Sequence, residues 1–155
     1  MLCLGCNRVI NLKQLYDIVG EKLALNYEVD IQNLNDLKGY SFSRPITING
    51  AIVNRAGVVT LGYTAAFTLH ACCDRCLIEF DREYSFEFEH IVVRSMNSDN
   101  DEYVVTESDR LDMDELALTD CLLQLPSKML CKDDCLGLCP HCGTDLNEKE
   151  CDCNG

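Results

Sequence analysis

A chain of 155 residues with 47% apolar and 25% charged side chains has the size and make-up of one globular domain built on a single core. No window reaches the roughly 18 to 20 apolar residues that cross a bilayer. The opening Met1-Leu2-Cys3-Leu4-Gly5-Cys6-Asn7-Arg8 shows no basic-then-apolar leader, so a cytoplasmic protein with no membrane contact is expected. A net charge of -13 from 13 basic and 26 acidic side chains disfavours unaided binding to nucleic acid, because neutralising phosphates takes clustered Lys and Arg. The charge is uneven: residues 1–94 carry 9 basic and 11 acidic groups, residues 95–155 carry 4 and 15. Any nucleic-acid contact is therefore expected in the first part, while the second suits a basic protein or a plain solvated surface.

Leu12, Leu15, Ile18 and Val19 recur at helical spacing and stop at Gly20, which predicts a short helix or turn. Between Asn26 and Leu37, Tyr27, Val29 and Ile31 alternate with Glu28 and Asp30 as in a half-buried strand. Ile46–Val53 and Val58–Ala71, rich in β-branched residues and joined by Asn54-Arg55-Ala56-Gly57, predict a hairpin whose second arm turns Tyr63, Ala65, Phe67, Leu69 and Ala71 to the core. A further strand is expected over 79–93, where Tyr84, Phe86 and Phe88 alternate with Glu83, Glu87 and Glu89. Residues 95–102 (SMNSDNDE) read as a mobile polar loop and 103–106 as a short strand. Asp112 followed by Glu115 has capping-box spacing, and Met113, Leu116, Leu118, Leu122, Leu123 and Leu125 supply an apolar helical surface that ends by Pro126. Cys121, inside that helix, is expected as a small buried hydrophobe.

Twelve cysteines make up about 8% of the 155 residues, and in a reducing compartment their natural use is metal rather than disulfides. Six of them, Cys131, Cys135, Cys139, Cys142, Cys151 and Cys153, fall in the last 25 residues. Cys139-Pro140-His141-Cys142-Gly143 has the form of a zinc knuckle, and a closed set of four thiolates is the structural kind, leaving no metal-bound water to activate. Cys139 and Cys142 are the surest ligands. The preferred set is Cys135, Cys139, Cys142 and Cys153, with Cys131 and Cys151 as alternates; a shared cluster of two ions is also open. Beyond Leu136, Leu138 and Leu146 the tail is too polar to offset the roughly 1 to 2 kcal/mol of backbone entropy each ordered residue costs, so metal must supply the difference.

Cys73-Asp74-Arg75-Cys76 leaves three readings open: donation to a zinc together with the tail, a separate site with Cys3 and Cys6, or a free dithiol on a turn. A thioredoxin-like role is weakest, since strands rather than a helix N-terminus flank it. Cys72 is expected to point to the opposite face, and Cys3 and Cys6 sit at a terminus where fraying is the rule. His70, His90 and His141 are too scattered for a catalytic set, and no activated nucleophile, phosphate loop or dinucleotide fingerprint is present. No small-molecule substrate is indicated, and the chain is not expected to be an enzyme.

The combination of I-T-I-N-G-A-I-V-N, C73-D-R-C76-L, the D-E-L-A-L-T-D-C-L-L-Q-L-P-S-K helix and C135-L-G-L-C139-P-H-C142-G-T-D-L-N, ending C-D-C, resembles the bacterial YceD family of large ribosomal RNA subunit accumulation proteins over about residues 10–153. The resemblance implies a cytosolic, non-enzymatic factor needed for normal accumulation of large-subunit ribosomal RNA. It also implies a small zinc-containing basic ribosomal protein as a partner for the acidic half, and independence of the C-x-R-C turn from any ion in the tail. The expected architecture is α+β: a curled antiparallel or barrel-like sheet in a core domain of residues 1–130, packed by the helix near 113–125, and a zinc-binding tail over 131–155. Arg44, Arg55, Arg75 and Arg82 are the nearest thing to an RNA-facing set. The alternative function is an acidic interaction protein that shields or delivers a basic ribosomal protein.

Overall fold

The longest runs of alternating side chains lie mid-chain, and they form the longest strands. A computed structural model describes residues 8–29, 41–94 and 103–153. In chain order these form β1 (Val9–Asn11), α1 (Lys13–Asp17), β2 (Lys22–Val29), β3 (Ser41–Phe42), β4 (Ile46–Arg55), β5 (Val58–Cys72), β6 (Glu79–Val93), β7 (Tyr103–Val105), β8 (Arg110–Asp112) and α2 (Met113–Gln124). The protein is α+β. A six-stranded sheet runs β2-β4-β5-β6-β7 with β3 also paired to β5, and β1 and β8 make a second, two-stranded sheet.

The β4–β5 hairpin turns through Ala56 and Gly57, both at positive φ (53° and 88°), the conformation that matches the twist of the flanking strands. Its register puts Ile48 opposite Ala65, Gly50 opposite Tyr63 and Ile52 opposite Leu61. On β5 Val59, Leu61, Tyr63, Ala65, Phe67, Leu69 and Ala71 are all buried, so a single face of one strand carries much of the core. Each fully buried large side chain there contributes roughly 1.5 to 3 kcal/mol. Gly50 is required by closeness: a Cβ there would lie 2.1 Å from the Gly62 carbonyl oxygen.

Among the described residues the sheet does not close, so the curled or barrel-like form expected from the sequence is not seen: β2 and β7 stand at its ends, and β7 pairs parallel to β6 over only three residues. Helices cover the apolar face instead. Leu12 and Leu15 around α1, together with Met113, Ala117 and Cys121 of α2, complete the core. Asp112 caps α2 by accepting from the Glu115 N–H at 3.1 Å, and Asp114 and Glu115 complement the helix dipole. The helix ends at Leu125, whose extended backbone precedes Pro126. Leu123, expected on the apolar surface, is 77% exposed; Met113, Ala117 and Cys121, each one turn on, are the residues that face the sheet.

Two polar ties fix the helices to the sheet. Fully buried Asn54 donates to the Leu15 carbonyl at 2.7 Å and accepts from the Gly57 N–H at 2.9 Å. Asp120 of α2 accepts from the Tyr63 hydroxyl and pairs with His90 Nε2 at 2.6 Å. The far side of the six-stranded sheet is solvated, and along β6 it exposes Glu79, Asp81, Glu83, Ser85, Glu87 and Glu89. The expected loop 95–102, the far part of the expected 26–37 strand, and Cys3 and Cys6 lie outside the described residues.

Candidate metal centre

The β5–β6 connection is where the tail meets the sheet. Cys73 follows β5 directly, its N–H donates to the Ile78 carbonyl at 2.8 Å, and its carbonyl accepts from Leu77 N–H at 3.0 Å. That closing bond needs a left-handed residue, and Leu77 takes φ +64°. The second C-x-x-C turn is built the same way: the Cys139 carbonyl accepts from Gly143 N–H at 2.9 Å, with Gly143 at φ +74°. Both turns thus aim two sulfurs to one side of a single tight loop.

A strap from Met129 to Leu138 is held against the first turn by bonds that do not involve sulfur. Asp74 N–H donates to the Met129 carbonyl and Asp74 Oδ2 accepts from Met129 N–H, both at 2.7 Å. Arg75 Nη1 donates to the Cys135 carbonyl at 2.8 Å. Arg82 Nη2 donates to the carbonyls of Leu130 and Cys131 at 2.7 and 3.0 Å. Gly137, at φ +79°, lies so close that a Cβ would come within 3.3 Å of the Arg75 carbonyl oxygen. The result brings Cys131 and Cys135 to Cys73 and Cys76, with Sγ–Sγ distances of 3.7 Å (Cys73–Cys135) and 3.6 Å (Cys76–Cys131).

From Cys139 onward the chain doubles back. Cys139 N–H donates to the Thr144 carbonyl, Leu146 N–H to that of Gly137, and Cys151 Sγ stands 3.3 Å from both Cys139 Sγ and Cys142 Sγ. Two tetrads result: Cys73, Cys76, Cys131 and Cys135, and Cys139, Cys142, Cys151 and Cys153, the four sulfurs of each lying within 4.8 Å of one another. Asn147 joins them. Its Nδ2 donates to Cys135 Sγ at 3.3 Å and its Oδ1 accepts from Leu136 N–H at 2.9 Å.

The thiols in each tetrad differ in acidity. Burial pushes the Cys73 thiol up, but hydrogen bonds from the backbones of Cys76, Cys131 and Arg75 outweigh it and bring it down to about 6. Burial, then the thiols of Cys76, Cys135 and Cys73, push Cys131 up to about 12. In the second tetrad the Thr144 hydroxyl and backbone, with Cys151 and Cys153, bring Cys142 down to about 6, while Cys151 and Cys142 push Cys153 up to about 12. Four thiolates this close cannot all ionise unaided; a divalent cation stabilises the charge and releases the remaining protons. All four donors of each tetrad are sulfur, a set that suits a soft or borderline ion held in a closed site.

The expected single set is divided by the fold. Cys135 stands with the turn, apart from Cys139, Cys142 and Cys153; the alternate Cys131 joins Cys135, and the alternate Cys151 completes the second group. Cys73 and Cys76 share their group with the tail, in contrast to the independence that the resemblance implied. Cys72 is exposed and Cys121 fully buried. The four arginines do not form one face. Arg55 ends β4 at one end of β5 and Arg75 lies beyond the other; Arg75 and Arg82 donate to strap carbonyls; Arg44 borders a depression of about 540 Å³ shared with Glu28 and Glu83. His70 pairs with Asp81 and His90 with Asp120, and His141 lies exposed in the second turn, so no histidine set is assembled.

An open sheet with a thiolate-lined tail folded onto one of its turns defines a small α+β protein with a metal-binding-type cysteine centre. Residues 61–155, more than half of the chain, match the family model described as Large ribosomal RNA subunit accumulation protein YceD, and the chain belongs to that family. No curated protein and no solved structure matches the chain. Among the described residues no helix is long and apolar enough to cross a membrane.

Proposed function

We propose that the chain is a non-enzymatic, cytoplasmic ribosome biogenesis factor that supports the synthesis, processing or accumulation of large-subunit ribosomal RNA. In this reading a core domain of residues 1–130 carries a tail, 131–155, that zinc orders into a rigid docking element. The observation that carries it is the extent of the family match, whose residues 61–155 include all eight cysteines of the two tetrads. The family's description ties it to that RNA and names no reaction. All-sulfur donor sets support a structural rather than a catalytic ion.

A second reading, that the chain shields or delivers a basic large-subunit protein, is favoured by the solvated face of β6. Glu79, Asp81, Glu83, Glu87 and Glu89 stand exposed in one row along that strand, while Arg75 and Arg82 are engaged with the strap. A surface of that sign attracts a polycation and repels phosphate. Affinity capture with the purified full chain at several salt concentrations separates the two readings. Retention of large-subunit RNA by the isolated protein, lost steeply as salt rises, supports direct RNA contact; a basic polypeptide partner without RNA supports shielding. Retention of neither removes both.

A further inference from the structure

We propose that the chain binds two zinc ions, one in each cysteine tetrad, and that the two exchange at different rates: the ion of Cys73, Cys76, Cys131 and Cys135 is held, and the ion of Cys139, Cys142, Cys151 and Cys153 is exchangeable. This rests on the reading of the tail as ordered by metal, and goes beyond it in number, partition and lability.

The partition follows from geometry. Four sulfurs at about 2.3 Å from one tetrahedral ion stand about 3.8 Å from each other. The observed separations are 3.7 and 3.6 Å in the first tetrad and 3.3 Å twice in the second. Thiolates attached to different irons of a polynuclear cluster need a wider spread, so each tetrad is sized for a single ion. The sets share no sulfur, which removes a bridged two-ion cluster. Each set contains one C-x-x-C turn of the same construction, closed by a bond to the residue four positions after its first cysteine.

The difference in lability follows from burial and from what else holds the ligands. In the first tetrad Cys73, Cys76 and Cys135 are buried, with Phe80, Leu130 and Leu138 packed against them. Its strap is also held by Asp74, Arg75 and Arg82, so the ligands stay in place when the ion leaves. In the second tetrad Cys142 and Cys153 are exposed. Among the described residues, the hydrogen bonds of 150–153 run only to and between cysteine sulfurs, and once an ion is lost nothing else returns that arm. Opening of the second site is therefore a local event that does not require the sheet to unfold. Asn147 links the two, since the loop that the second ion orders also donates to Cys135 Sγ.

The test is metal content and release from the full chain. Two zinc equivalents are expected, and a chromophoric chelator should remove them in two phases separated by at least about tenfold in rate. Cys142→Ser should abolish the fast phase and leave one slow equivalent; Cys76→Ser should remove the slow phase. Because Cys76→Ser threatens folding, cobalt titration of the unaltered chain provides the second measurement, with thiolate-to-cobalt absorption rising to two equivalents. Saturation at one equivalent, a single release phase, or loss of the slow phase in Cys142→Ser with the fast phase intact overturns the proposal. Saturation at one leaves the metal-ordered tail standing, whereas no bound metal removes that reading as well.

Discussion

Replacing Arg82 separates a tail-positioning role from the RNA-facing role suggested by charge. Its Nη2 donates to the carbonyls of Leu130 and Cys131 at 2.7 and 3.0 Å, and its guanidinium carbon lies 4.9 Å from the centroid of the Phe80 ring. A hydrogen bond from a charged donor contributes about 1.5 to 3 kcal/mol, and the ring contact about 0.5 to 1. Both bonds leave one nitrogen, so they are counted once, and Arg82→Ala should cost the strap about 2 to 4 kcal/mol. Cys131 is a member of the first tetrad, so much of this loss should emerge as weaker metal binding, by roughly 10- to 100-fold as for other residues that orient ligands. Chelator competition measures it, with Arg44→Ala and Arg55→Ala as variants that touch no part of the strap. Arg82→Lys keeps the charge without the fork and should fall between. If Arg82→Ala keeps its metal affinity within about twofold while RNA retention falls, the positioning argument is refuted.

Asp120→Ala leaves the Tyr63 hydroxyl and His90 Nε2 without their acceptor, and should lower stability to urea by about 2 to 4 kcal/mol; Asp120→Asn should cost less. On the solvated face the hydrogen bond to Asp81, then the charges of Asp81 and Glu79, raises the His70 pKa above 6.5. Its stabilising effect is therefore fully present below pH 6.5 and fades as pH rises through the raised value; a proton NMR titration should show the high midpoint, and Asp81→Asn should bring it down. Gly50→Ala places a Cβ 2.1 Å from the Gly62 carbonyl oxygen and 2.5 Å from Tyr63 Cα, so β4 and β5 must separate at a cost of about 3 kcal/mol or more. Gly62→Ala, which meets nothing within 4 Å, should leave the thermal midpoint far less changed.

The strands of the centre were legible because burial on one face of a sheet imposes a period of two on the sequence. Tyr63 to Ala71 alternated in the sequence and alternates in burial, and Asp112 capped its helix where the spacing placed it. The closure of the sheet was not legible, since it depends on whether the outer strands meet, and neither Val29 nor Tyr103 carries a mark of its partner. Isolated leucines also misled: Leu123 is apolar and near the end of α2, yet the helix turns Cys121 inward and Leu123 out. Asn54 read as a turn residue, and it is one; its second role, tying α1 to the hairpin through the Leu15 carbonyl, comes from a contact 39 residues away.

Separation along the chain also governs the grouping of the cysteines. Sequence spacing favours ligands that are neighbours and so points to four of the six tail sulfurs, whereas the fold places Cys135 beside Cys73 across 62 residues and Cys131 beside Cys76 across 55. Two signals were nevertheless present. Six tail sulfurs with the two of the β5–β6 turn make eight, which divides into two sets of four and leaves none over. Cys73-Asp74-Arg75-Cys76-Leu77 also has the length of Cys139-Pro140-His141-Cys142-Gly143, and the likeness was hidden by Leu77 standing where the second turn has glycine. A left-handed leucine costs roughly 1 to 2 kcal/mol, and with 63% of the side chain exposed packing returns little of it. Strain of this kind persists only where the surroundings fix the backbone, and here the fixed backbone is the one that aims Cys73 and Cys76 at the tail.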